Sequence, residues 1–274
     1  MDSEKVEKIV GEIKERTKVM AYSLVIDLEK QPEIFDSKFG GLPYWDLNKD
    51  YPIDSKGNKL MMLAQINLDR IEADDMIPKE GMLQFFIGTN DIFGMDFDEP
   101  DKQDAFRVIY HECIDYSVSK EQIEELNIPV CTDSEMEEYS PVFREAALDI
   151  SKKEIYMGPM DYRFEQLFEQ IAMEKYEEDI SGSQFSYGEL DDKCYEFNMG
   201  HWLLGYPYFT QTDPREYEEK YRYYDTLLFQ MDSDYVMNED YVLWGDCGVG
   251  NFFINSEDLK NRDFSKILYN WDCC

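Results

Sequence analysis

The sequence predicts an α+β protein made of internally duplicated antiparallel sheet units with peripheral helices, arranged about a pseudo-twofold axis. Three observations carry this expectation. Aromatic residues make up 15% of the 274, which suits sheets, where flat side chains pack across strands. Short apolar runs bounded by Gly, Pro, Asn and Asp outnumber helical patterns. Several of those runs recur in the same order at the two ends of the chain.

Taken in order, Val6, Ile9, Val10 and Ile13 fall at i, i+3, i+4 and i+7, the apolar stripe of an amphipathic helix. YSLVID at 22–27 is a strand. In SKFGGLPYW at 37–45, Gly40, Gly41 and Pro43 prevent a helix and predict a loop running into an extended edge. LMMLAQINL at 60–68, MLQFFIG at 82–88 and RVIYHE at 107–112 are further strands, separated by the turns DSKGNK and IPKEG and by an acidic loop at 89–106. Ser119 precedes a short helix that Pro129 ends, and residues 140–157 are extended. DYRFEQLFEQIAMEKYEED at 161–179 is the clearest helix, followed by a surface loop, SGSQFSYG, at 181–188.

GLPYW at 41–45 answers GYPYF at 205–209. LMMLAQINLDRI at 60–71 answers YDTLLFQMDSDY at 224–235, which sets Gln65 against Gln230 and Asn67 against Asp232. GMLQFFIG at 81–88 answers GNFFINSE at 250–257, and FRVIYHEC at 106–113 answers FSKILYNWDC at 264–273 loosely. The chain is thus expected to be one compact domain over 1–274. It consists of two repeats, about 20–118 and 190–274, joined by a partly helical segment at 119–189, and two similar sheets pack together.

SKFGGLPYW, LAQINL, GMLQFF, HWLLGYPYFTQTDPR, LLFQMDSD and WGDCGVGNFFI, in that order, resemble the YwqG-like domain family of unknown function. The resemblance implies an α+β fold with a repeated sheet, no established catalytic residues, and a soluble, mostly bacterial protein. It also implies relatives near toxin and immunity genes, which points toward protein binding.

With 27 Lys and Arg against 60 Asp and Glu the net charge is −33, which disfavours nucleic acid and anionic membranes and favours a basic protein partner. The first residues lack the apolar core of an export signal, and no stretch approaches the ~18 apolar residues of a membrane span, so a cytoplasmic location with six reduced cysteines is expected. LWGDCGVGNFFI at 243–254 invites a phosphate-loop reading, but neither the Lys-Ser/Thr ending of a P-loop nor a following helix is present. It is read as a glycine turn entering a strand, with Trp244 and Asp246 bordering any site. His111 and His201 lack metal-ligand spacing, and packed roles are expected for both. Were there a reaction, His201 would be its general base, with Asp246 or Asp232 orienting it.

Gln65 and Gln230, in the middle of apolar strands, are expected either to tie backbone across the pseudo-twofold or to line a cleft. Asp46, Asn48 and Asp50 start like a calcium loop that fails at Tyr51 and Gly57, so no metal and no cofactor is expected. The favoured function is a non-enzymatic protein-binding or regulatory protein, immunity-like or inhibitor-like. The alternative is a small-ligand binder or hydrolase-type enzyme using a cleft between the repeats, with Trp244, Gln230, Asp232 and Gln65 as ligand contacts. Tyr206, Tyr208 and Phe209 would serve a third reading, recognition by exposed aromatics.

Overall fold

A computed structural model describes residues 3–131, 139–178, 198–237 and 239–274; the 181–188 loop lies outside them. Helix α1 (Ser3–Arg16) forms on the predicted stripe, and Val6, Ile9, Val10 and Ile13 are all buried. They pack with Phe164, Phe168 and Ile171 of helix α3 (Phe164–Tyr176), each such burial worth about 2 kcal/mol. Between them in sequence, the short α2 (Lys120–Glu124) opens on a capping box in which Ser119 and Gln122 satisfy each other's backbone N–H groups.

Among the described residues, ten strands form one antiparallel sheet. They are β1 (Val19–Asp27), β2 (Lys38–Phe39), β3 (Met61–Asn67), β4 (Met82–Ile87), β5 (Phe106–His111), β6 (Ala146–Ile155), β7 (His201–Leu203), β8 (Thr226–Asp232), β11 (Val249–Ile254) and β12 (Leu268–Asp272). Strands β9 (Asp234–Val236) and β10 (Glu239–Val242) make a separate hairpin; two short α-helices, α4 (Pro214–Tyr217) and α5 (Ser256–Lys260), and 3-10 turns at Leu68–Arg70 and Glu219–Tyr223 complete the described elements. The order in the large sheet is β12-β11-β8-β7-β1-β6-β2-β3-β4-β5. Outward from the central β1–β6 pair, one arm carries β2, β3, β4 and β5 and the other β7, β8, β11 and β12.

This corrects the expectation of two packed sheets. Strand β6, from the joining segment, pairs with β1 along Val19–Asp27 and with β2, so the strands of both ends are stitched into one surface. It also corrects the edge assigned to 37–45, because Lys38 and Phe39 lie inside the sheet between β6 and β3.

The sheet curls on itself. Phe85 of β4 stacks on Phe229 of β8 with centroids 4.3 Å apart, although five strands stand between them in the order. The edge strands approach in the same way through Phe106 and Tyr269, at 5.2 Å. Strand alternation puts Leu83, Phe85, Phe229 and Phe252 into this shared core and puts Gln65, Gln84, Gln230 and Asn251 on the opposite face.

Residues 243–254 are a turn, exposed at 245–247, that enters a buried strand, with Trp244 and residues 248–254 in the core. A Cβ on Gly250 would sit 2.4 Å from the Trp244 ring, so the ring lies flat on the strand only because position 250 has no side chain. Gly248 abuts β12: its Cβ would fall 1.9 Å from the Asp272 carbonyl oxygen, just as one on Gly81 would fall 2.1 Å from that of His111. Val249 pairs with Asp272 as Met82 pairs with His111. The positional counterpart of Gly81 is therefore Gly248, two residues from the Gly250 that local similarity selects.

Candidate functional site

The two buried glutamines are tied to backbone, each within its own arm. The Gln65 side chain accepts from Tyr44 N at 2.9 Å and Gln84 Nε2 at 3.2 Å, and donates to the carbonyls of Ile34 at 2.8 Å and Asp36 at 2.7 Å. Gln230 accepts from Tyr208 N at 2.7 Å and donates to the carbonyls of Asn198 at 2.6 Å and Gly200 at 2.8 Å. In each arm the amide clamps the Gly-x-Pro-Tyr loop and the segment entering β2 or β7 onto the middle of the sheet. A neighbouring amide completes the clamp, with Gln84 donating to Tyr44 O and Asn251 to Tyr208 O.

His201 is engaged at both ring nitrogens. Asp232 N donates to Nδ1 at 3.1 Å, which leaves the proton on Nε2, and Nε2 faces Asp234 Oδ2 at 3.1 Å. The ring is buried and meets Phe39 edge-on at 4.7 Å. The Asp232 carboxylate accepts from Gly200 N and Ser233 N, and burial pushes its pKa up. Trp244 is wholly buried among Phe93, Tyr269 and Trp271. Asp246 is exposed, beside Cys273, and His201 is oriented by Asp232 and Asp234 instead. Of the aromatic trio, Tyr206 and Phe209 are buried. His111 donates from Nε2 to Gln84 Oε1 at 3.0 Å against the rings of Tyr44 and Trp45, and burial holds its pKa down at about 4. Among the described residues no group of three or more His, Cys, Asp or Glu side chains converges as metal ligands would.

None of the six predicted site residues lines either of two hollows at the protein surface. The first is a groove of about 520 Å³ where the arms meet. Asp74, Asp75 and Met76 from one arm face Leu204 to Tyr206 and Asp225 from the other, with Val19 and Met20 at its rim. Its cation, Arg163, is neutralised from behind: Nε and Nη2 donate to the fully buried carboxylate of Asp161 at 2.7 and 2.6 Å. Asp161 in turn belongs to a buried ion cluster in which Arg215 donates to Asp213 and lies over the Phe253 ring at 4.1 Å.

The second hollow, about 390 Å³, lies over β2 and is lined by Ile34, Phe35, Leu42 and Val118 with Lys38, Lys120, Glu33 and Glu145. Lys38 was absent from the residues the sequence singles out. A lysine between Ser37 and Phe39 in a loop-like segment carries no local sign of burial, since its partner Glu145 is 107 residues away.

A comparison with curated proteins gives no match. A family model described as a domain of unknown function (DUF1963) matches residues 37–273, spanning both arms and the strand that joins them, and the chain belongs to that family.

Proposed function

We propose that this is a non-enzymatic binding protein with a basic protein partner, and that the groove between the arms seats a lysine or arginine side chain of that partner. The groove's lining carries the reading. Asp74, Asp75 and Asp225 stand beside Val19, Met20 and Met76, which are 37%, 41% and 36% exposed; the lining cation is paired with Asp161, while Asp75 and Asp74 have as ion-pair partners the lysines Lys79 at 2.9 Å and Lys152 at 3.7 Å, which a partner's cation would have to displace. A long basic side chain, with an aliphatic stem and a charged head, matches such a surface. The net charge of −33 would speed its approach. The engagement of His201 in the fold weighs against the hydrolase alternative, because a general base needs a free nitrogen at the reacting atom.

The same reading takes the two arms as copies of one unit about a pseudo-twofold axis through the β1–β6 pair. Supporting it are the matched glutamine clamps, the matched glycine contacts of Gly81 and Gly248, and the mirrored strand order. On this view the groove is the seam that duplication creates.

Titration of the protein with a fluorescent arginine-rich peptide tests the function. Binding is expected to weaken steadily with salt, and the double variant Asp74→Asn, Asp75→Asn to lose about tenfold in affinity, the scale of two partly exposed ion pairs. Affinity that ignores both salt and the double substitution would overturn the reading.

A further inference from the structure

The lysine of the second hollow has no part in that reading. The Lys38 side chain is 2% exposed, and its Nζ donates to Glu145 Oε1 at 2.6 Å. Glu145 reaches it because position 41 is glycine: a Cβ there would lie 2.2 Å from Glu145 Oε1. The pair faces a hollow of about 390 Å³, a volume suited to a small molecule, whose wall includes Ile34, Phe35, Leu42 and Val118. Burial holds the Lys38 ammonium below the usual lysine range, against the opposing pull of Glu145. Two lysines and two glutamates line the hollow, so its charges balance and an uncharged ligand enters at lower electrostatic cost than an anion or a cation.

We propose that the Lys38 hollow binds a small aldehyde or ketone with an apolar body and forms an imine with it through Nζ. The neutral amine attacks the carbonyl carbon and a C–N bond forms. The carbonyl oxygen then leaves as water, carrying away the two protons the amine gives up, and the C=N bond closes. Amine and carbonyl yield imine and water, with nothing oxidised or reduced. Glu145 is placed to take the ammonium proton before attack and to return one to the departing hydroxyl. The other arm has Trp202 at the corresponding register, so the chemistry is confined to one arm.

The test treats the full chain with benzaldehyde and sodium cyanoborohydride near neutral pH, which fixes any imine as a benzylamine, and maps the labelled lysines by peptide mass spectrometry. Lys38 is expected to label about tenfold faster than Lys120, which is exposed on the rim of the same hollow. Its labelling is also expected to saturate with benzaldehyde concentration while that of Lys120 rises in proportion. Labelling of Lys38 no faster than Lys120 overturns the reactive amine. A rate at Lys38 that rises without saturation overturns the binding site.

Discussion

Lys38 and Trp202 occupy the same place in the two arms, each paired across the sheet with a buried glutamine, Gln65 or Gln230. Around Trp202 the face is closed by α1 and α3, whose apolar stripes it joins. Around Lys38 the covering is the 32–35 segment, Leu42 and the approach to α2, and a hollow remains. Matching register positions thus serve two ends: in the helix-covered arm the position is packing, and in the open arm it is a buried charge at a cavity wall. The sheet and its amide clamps define the scaffold, while the cover laid over each arm decides whether a hollow remains.

The largest effect should come from cutting the clamps. Gln65→Leu strands Tyr44 N and two carbonyls and removes Gln84's contact, so about 4 kcal/mol of stability should be lost in urea unfolding. Gln230→Leu strands a comparable set with one bond fewer and should lose about 3 kcal/mol. A costlier Gln230 variant would reverse the ranking of the arms.

Next comes the pair at which the arms diverge. Trp202→Ala empties a packed site and should cost about 3 kcal/mol by thermal or urea unfolding. Lys38→Met removes a buried charge whose partner, Glu145, is 39% exposed and stays hydrated, so stability should change by less than about 1 kcal/mol. Equal losses at the two positions would mean that the open arm is as tightly packed as the covered one.

The last effect is a pH dependence that belongs to one arm. His111 takes its proton at about 4 in the folded state instead of 6.5, because burial disfavours the cation. The unfolded chain therefore binds more protons between those values, so stability is full above about pH 6.5 and falls as the pH drops through the window. Between pH 7 and 5 this should amount to roughly 2 kcal/mol, present in the wild type and missing from the slope of a His111→Phe variant. At the same register of the other arm stands Asp272, whose pKa burial raises, so its contribution runs the opposite way and lessens as pH rises.

Much of the scaffold was legible in the residues. The 3.6-residue stripe of Val6, Ile9, Val10 and Ile13 located α1, and the apolar runs around Gln65 and Gln230 located β3 and β8, because periodicity and turn residues act over a few positions. The glutamines announced themselves as polar groups in apolar strands, and both are fully hidden and bonded to backbone. Of the two aspartates expected to orient His201, Asp246 does not reach it: the histidine is held by Asp232 N at the end of the adjacent strand β8 and by Asp234 Oδ2 just beyond, neighbours set by the β7–β8 pairing rather than by spacing.

By itself, then, the sequence determined the element types, the acidic surface and the family. Only the tertiary structure decided that β6 joins both arms into one sheet, that Gly248 is the counterpart of Gly81, and that Lys38 is buried against Glu145. The physical reason is range. Helical and strand periodicity are properties of neighbouring residues, whereas the burial of a charge and the register of a strand depend on partners a hundred residues away, brought close only when the core closes.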